Sequence, residues 1–221
     1  MLTCHIRLHS LYTARSSIQY VILSIDYIWR RFMDQFIHVR TLIAIILGLS
    51  VTHIVQGVVK LIAHPTKTKI YWIHFLWVAF LFLLIIHFWW WEFGLREIHQ
   101  WNFVKYIFVI SYAILFYASA YLLFPATLDE YDGFKDYYYS RKKWFFGALA
   151  LTYVLDFFDS QLKGTAYLAS LGTEYYASLG IHILFCLVAI FSRKSYIHVA
   201  LAAIFIGYQL SWIYRAYLLL E

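Results

Sequence analysis

An all-α bundle of six membrane-spanning helices is the fold class this sequence predicts, and three observations carry the prediction. Hydrophobic residues fill 63% of the 221 positions and charged residues only 14%, whereas charge makes up about a quarter of an ordinary soluble domain. Apolar runs recur along the chain, each near the ~20 residues that cross a bilayer as a helix. The runs lack the two-residue alternation of a membrane barrel. In lipid the backbone must then satisfy its own polar groups, so the runs are helical.

The spans fall at roughly 40–62, 71–93, 102–124, 143–164, 174–192 and 196–218. Pro65 closes the first, Gly94 follows the second and Pro125 closes the third. The stretch "WWWEF" at Trp89–Phe93 puts three indoles at the exit of the second span, and Trp101 marks the start of the third. Trp and Tyr favour the headgroup level, where an apolar ring meets lipid and a polar edge meets water. "PATLDEYDGFKDYYYSRKKW" reads as a long polar connection, Gly164 to Gly172 as a small-residue turn, and "SRKS" as a tight hairpin between the last two spans.

Residues 1–32 stand apart. They carry Arg7, Arg15, Arg30 and Arg31 with no acid before Asp26, and "IQYVILSI" is too short to span. They read as an N-terminal extension, with translation naturally starting at Met33, or as an interfacial segment. Residues 33–221 then form the transmembrane domain. From Met33 on, the amino-terminal side holds Arg40, Arg96, Lys105, Lys163 and Arg215. The other side holds Lys60, Lys67, Lys69, Lys135, Arg141, Lys142, Lys143, Arg193 and Lys194. The positive-inside rule therefore puts both termini outside, although the arginines of residues 1–32 even the balance. The net charge of +6 is scattered at span ends and forms no basic stripe, which excludes nucleic acid as a partner.

Ionisable groups at membrane depth each need an explanation, because an unpaired one costs several kcal/mol there. In "TYVLDFFDSQLKG", Asp156, Asp159, Ser160 and Lys163 fall at i, i+3, i+4 and i+7, on one helical face. That face should point into the bundle, with Asp159 and Lys163 within reach of each other one turn apart. Span one places Ser50, His53 and Gly57 together with Gln56 beside them, and Gly48 and Gly57 permit close helix approach. Span two carries His87 and Glu92. Span five puts Tyr175, Ser178, His182 and Cys186 on one face, with Cys186 as a packing residue. Span six carries Gln209 and Arg215. Asp156, Asp159, Lys163, His87, Glu92 and Arg215 all lie in the half of the membrane nearer the amino terminus. The expectation is an asymmetric polar vestibule open to that side and tapering toward His53, His182 and Gln209. Arg215, Lys163 and Glu92 are its candidate buried pairing groups, with Arg215 set against Asp156. The other half reads as dry and aromatic.

The motifs exclude much. There is no H-E-x-x-H, G-x-S-x-G, P-loop or Gly-rich dinucleotide turn, and the two cysteines, Cys4 and Cys186, have no metal spacing. No metal or cofactor is expected. Bis-histidine haem needs His pairs about 13–14 residues apart on two helices. His74 and His87 make such a pair, but no other span supplies the second. Haem also fits poorly because thirteen residues of ideal helix rotate the two rings off a common face.

"MDQFIHVRTLIAIILGLSVTHIVQGVVKLI" and "IYWIHFLWVAFLFLLIIHFWWWEF" resemble small polytopic inner-membrane proteins of bacteria that carry no assigned activity. The resemblance covers the first two spans best, and implies a start at Met33 and a bacterial inner membrane. Three functions remain open. The first is a proton or small-cation channel or transporter using Asp156 and Asp159, with His53, His87 and His182 as relays and Gln56 and Gln209 beside them. The second is a non-enzymatic sensor or scaffold whose cytoplasmic partner reads the basic loop at Arg141, Lys142 and Lys143, and under any of the three the bundle is expected to be a homo-oligomer. The third is a haem-binding redox protein.

Overall fold

The computed structural model describes residue 19 and residues 35–63, 69–98, 100–125 and 127–218. The segment over 1–32 therefore lies almost wholly outside the described residues, and so does Met33. Every regular element among the described residues is helical. The helices are α1 (Gln35–Ala63), α2 (Trp72–Trp91), α3 (Phe103–Tyr121), α4 (Phe134–Leu162), α5 (Thr165–Ser170), α6 (Gly172–Phe191) and α7 (Ser195–Ile213). α2 runs on into a 3-10 turn over Glu92–Glu97, and α7 into a π turn over Tyr214–Leu218.

Five of these, α1, α2, α3, α6 and α7, are long and apolar enough to cross a membrane, which makes this a multi-pass membrane protein. α4 equals α1 in length, at 29 residues, but is too polar to count with them. It nevertheless packs along α6 and α3, while α2 packs along α7. The helix that carries the expected fourth span, 143–164, starts before it. The helix begins nine residues earlier, because "FKDYYYSRK" puts Phe134, Tyr137 and Tyr138 on one buried face. The long polar connection shrinks accordingly. Gly133, at φ +126°, turns the chain into α4 beneath the backbone of Lys69, whose carbonyl accepts from Phe134 N–H at 3.1 Å. An added β-carbon there would lie 2.8 Å from Lys69 Cβ, so glycine is required by both conformation and space. The short α5 occupies the expected small-residue turn, and α6 and α7 are joined by Ser192–Lys194 alone.

Trp77 is the centre of the core. Its ring meets Phe80, Phe145, Phe146 and Phe205 edge-on at centroid distances of 4.7–6.1 Å. Such contacts set the positive ring edge against the negative face of a neighbour. The three indoles Trp89, Trp90 and Trp91 divide by direction. Trp89 and Trp90 face outward, as the headgroup reading requires. Trp91 turns inward, with the Lys163 ammonium 5.5 Å from its ring.

α1 stands apart from the polar centre. Ser50 Oγ donates back to Ile46 O at 2.9 Å within its own helix. His53 stacks on Tyr121 and reaches Phe124 O at 3.3 Å. Gly57 rests on the Phe124 ring, whereas nothing approaches Gly48. The shared face of Ser50, His53 and Gly57 thus docks α1 on the end of α3.

Candidate functional site

A cavity of about 80 Å³ lies among α2, α3, α4, α6 and α7. It sits in the half of the bundle where α2, α4 and α7 end and where α3 and α6 begin. Asp156 reaches its wall from α4. Tyr175 Oη lies 2.8 Å from Asp156 Oδ2 and 2.9 Å from Ser160 Oγ. The one proton of the Tyr175 phenol faces Asp156 Oδ2, the Asp156 carbonyl at 3.1 Å and Ser160 Oγ, and the charged carboxylate is the strongest acceptor of the three. Tyr112 Oη stands 3.5 Å from Asp156 Oδ1, too far for a strong bond.

Histidine and amide groups line the opposite wall. Gln209 Nε2 is 2.6 Å from His87 Nδ1, and His87 Nε2 is 3.1 Å from Tyr217 Oη. With the amide donating to Nδ1, the imidazole is the Nε2–H tautomer and donates to Tyr217. His182 makes the other choice. Its Nδ1–H donates to Ser178 O at 2.6 Å, which leaves Nε2 as the basic nitrogen. The ring is held by stacking on Tyr153 at 4.8 Å and by the edge of Phe205 at 4.6 Å. Tyr153 Oη is buried with no hydrogen-bond partner among the described residues.

Beside the cavity, and sharing Trp91 with it, lies a fully buried ion cluster. Lys163 Nζ is 3.0 Å from Glu92 Oε1 and 2.5 Å from Asp159 Oδ2. The Asp159 contact is close in distance but lacks hydrogen-bond geometry, and Glu92 Oε2 and both Asp159 oxygens have no hydrogen-bond partner among the described residues. We read it as a Coulombic contact. Two carboxylates and one ammonium leave an excess negative charge, and Asp156 on the same helix adds another. In a medium of low dielectric such an excess calls for a proton or another cation.

The cavity brings together His87, Asp156, His182 and Gln209 with Tyr175 and Ser178 from the expected polar face of the fifth span, and the cluster beside it holds Glu92, Asp159 and Lys163. His53 and Gln56 are not part of either. His53 is engaged by Tyr121 and Phe124, and Gln56 faces outward, so the taper toward His53 is corrected. Arg215 is corrected too. Its guanidinium forks onto Glu174 at 2.8 and 2.6 Å, near the surface, and does not meet Asp156. The fork matches a carboxylate better than a carboxyl already held by a phenol. Tyr208 Oη donates to the same Glu174 at 3.3 Å, which ties this ion pair to the cavity wall. Tyr112 and Tyr153 escaped the sequence reading. They lie in spans crowded with aromatics, and nothing in the local pattern marks their hydroxyls as inward.

The other half is aromatic but not dry. Lys142 is buried, and its ammonium donates to Ala189 O at 3.0 Å, to Ile190 O at 2.8 Å and to Ser192 O. It caps the free carbonyls that end α6. The basic loop offered to a partner therefore loses its central member. Nearby, Tyr138 Oη and His198 Nδ1 are 2.8 Å apart, and Tyr71, Tyr139 and Ser195 share hydroxyl contacts of 3.1–3.3 Å. Among the described residues no group of His, Cys, Asp and Glu is placed to hold a metal ion. Comparison of the chain with family models, curated proteins and solved structures finds no match.

Proposed function

We propose that this protein is a transporter of protons or small cations, with Asp156 as the carboxylate that binds the transported charge. α4 is then the sixth crossing. The observation that carries the reading is Asp156 itself, a carboxylate at a cavity wall inside the bundle, held by a phenol and, among the described residues, paired with no basic side chain. The neighbouring cluster of Glu92, Asp159 and Lys163 raises the demand for positive charge in the same half. Behind His182 the ring of Phe205 and the packed Trp77 core close the way to the other side. A polar cavity confined to one half of the bundle, with a packed aromatic core beyond it, suits alternating access better than an open pore.

The test is flux in proteoliposomes carrying a pH-sensitive dye, with K⁺ or Na⁺ gradients imposed. Wild type should exceed empty vesicles, and Asp156→Asn should fall at least about tenfold while eluting as folded protein. Equal flux in the two, or no flux from folded wild type, overturns the reading.

A further inference from the structure

We propose that the cavity takes a small protonated primary amine of about one to four carbons. This rests on reading Asp156 as the cation-binding carboxylate. The argument is one of matching donors to acceptors. Most of the hydroxyl and imidazole donors on the wall are already engaged within the protein, whereas Tyr153 Oη and the Trp91 Nε1–H have no partner among the described residues. Tyr175 donates to Asp156. Tyr208 donates to Glu174. Thr152 Oγ1 donates to Ala148 O at 3.0 Å, and Ser178 Oγ donates to Tyr175 O at 2.7 Å. The imidazole N–H groups are taken by Tyr217 and Ser178 O.

Beside these donors stand three open acceptors. Asp156 keeps further lone pairs on its carboxylate, His182 keeps its basic Nε2, and Gln209 keeps its carbonyl oxygen once its amide nitrogen serves His87. A wall with one anion and spare acceptors is complementary to a cation that carries several N–H donors. An alkylammonium has three donors and one charge. The rest of the wall is apolar and aromatic, with Phe88, Phe116, Trp91 and Trp212. These suit an alkyl stem and can face a cation with their rings.

Two alternatives fit less well. A bare hard cation wants six or more oxygen ligands, and one carboxylate with one amide oxygen falls short of that. A quaternary ammonium brings charge but no N–H for His182 or Gln209. Size sets the upper limit. A water-sized group takes roughly 15 Å³ of cavity volume, so a cavity of about 80 Å³ holds about five non-hydrogen atoms, the size of butylammonium.

The experiment is calorimetric titration of the full chain in nanodiscs with methyl-, ethyl-, propyl-, butyl- and hexylammonium chloride, with tetramethylammonium and sodium chloride as controls. Saturable binding should strengthen from methyl to butyl and fail at hexyl. It should weaken at least tenfold in Asp156→Asn and in His182→Phe. Should Asp156→Asn not fold, Gln209→Leu is titrated in its place and should weaken binding similarly. No saturable heat with any alkylammonium overturns the inference, as does binding that tetramethylammonium or sodium matches, or binding that none of these substitutions weakens. Proton flux dependent on Asp156 without amine binding removes the amine and leaves transport standing. Amine binding without flux of amine or proton removes transport and leaves the site.

Discussion

Lys163 holds two carboxylates from different helices, and its removal should be far worse than removal of the whole cluster. Lys163→Met leaves Glu92 and Asp159 facing each other with no cation, a loss on the order of 3–5 kcal/mol. Adding Glu92→Gln and Asp159→Asn to the same chain should recover much of it, because neutral amides carry no buried charge. Thermal unfolding in detergent, followed by loss of the monodisperse peak, separates the two outcomes. Gly57 is a second sensitive point. A β-carbon there would overlap the Phe124 ring, so Gly57→Ala should cost about 1–3 kcal/mol through overpacking. The smaller side chain of Phe124→Leu should absorb part of that cost, and a double-mutant cycle measures how much.

At the level of elements, α4 does two jobs along its length. Its 29 residues make a rod of about 43 Å at 1.5 Å per residue, against about 30 Å of hydrocarbon. With α4 as the sixth crossing proposed above, the surplus is the stretch that begins at Phe134, and it is there that Lys142 reaches the carbonyls ending α6. The connection to α7 is only three residues long, so those carbonyls have little other protein to turn to. Lys142→Met should therefore cost about 1.5–3 kcal/mol, the range for hydrogen bonds to a charged group. Amide hydrogen exchange should rise at Ser192–Lys194 and stay unchanged around Asp156. At the far end of the same helix, Asp156, Ser160 and Lys163 serve the cavity and the ion cluster.

At the level of the whole molecule, polarity is lopsided by function more than by amount. The half that holds Asp156 encloses the cavity, and the half that holds Lys142 uses its polar groups to fasten helix ends. Water should therefore reach the cavity from one face only. Ser178→Cys, in a chain carrying Cys4→Ala and Cys186→Ala, should react with a charged, impermeant thiol reagent from the side where α1 begins and not from the other. Much of this was legible in the sequence. Helix positions follow from apolar run length, and the inward face of α4 follows from the i, i+3, i+4 and i+7 spacing of Asp156, Asp159, Ser160 and Lys163. Partners across helices were not legible, because spacing says which way a side chain points and not what it meets. Arg215 was set against Asp156 on shared depth alone, and Glu174 at the start of α6 proved the nearer carboxylate. The early start of α4 was hidden because Tyr137 and Tyr138 sit among charges that read as a loop.

The composition of α4 also bears on how the chain gets into the bilayer. Asp, Lys and Arg each cost about 2.5–3.5 kcal/mol near the middle of an inserting helix, and α4 alone among the long described helices is not apolar enough to be a candidate span by composition. It would be a poor candidate to partition into lipid unaided. α2 and α3 precede it in synthesis, and α2 leads directly to Glu92, the acid that later holds Lys163. Biogenesis should therefore be cooperative. A ribosome-bound chain truncated after α4 should integrate that helix efficiently when α2 and α3 are present, and poorly when α4 is offered alone in a host protein.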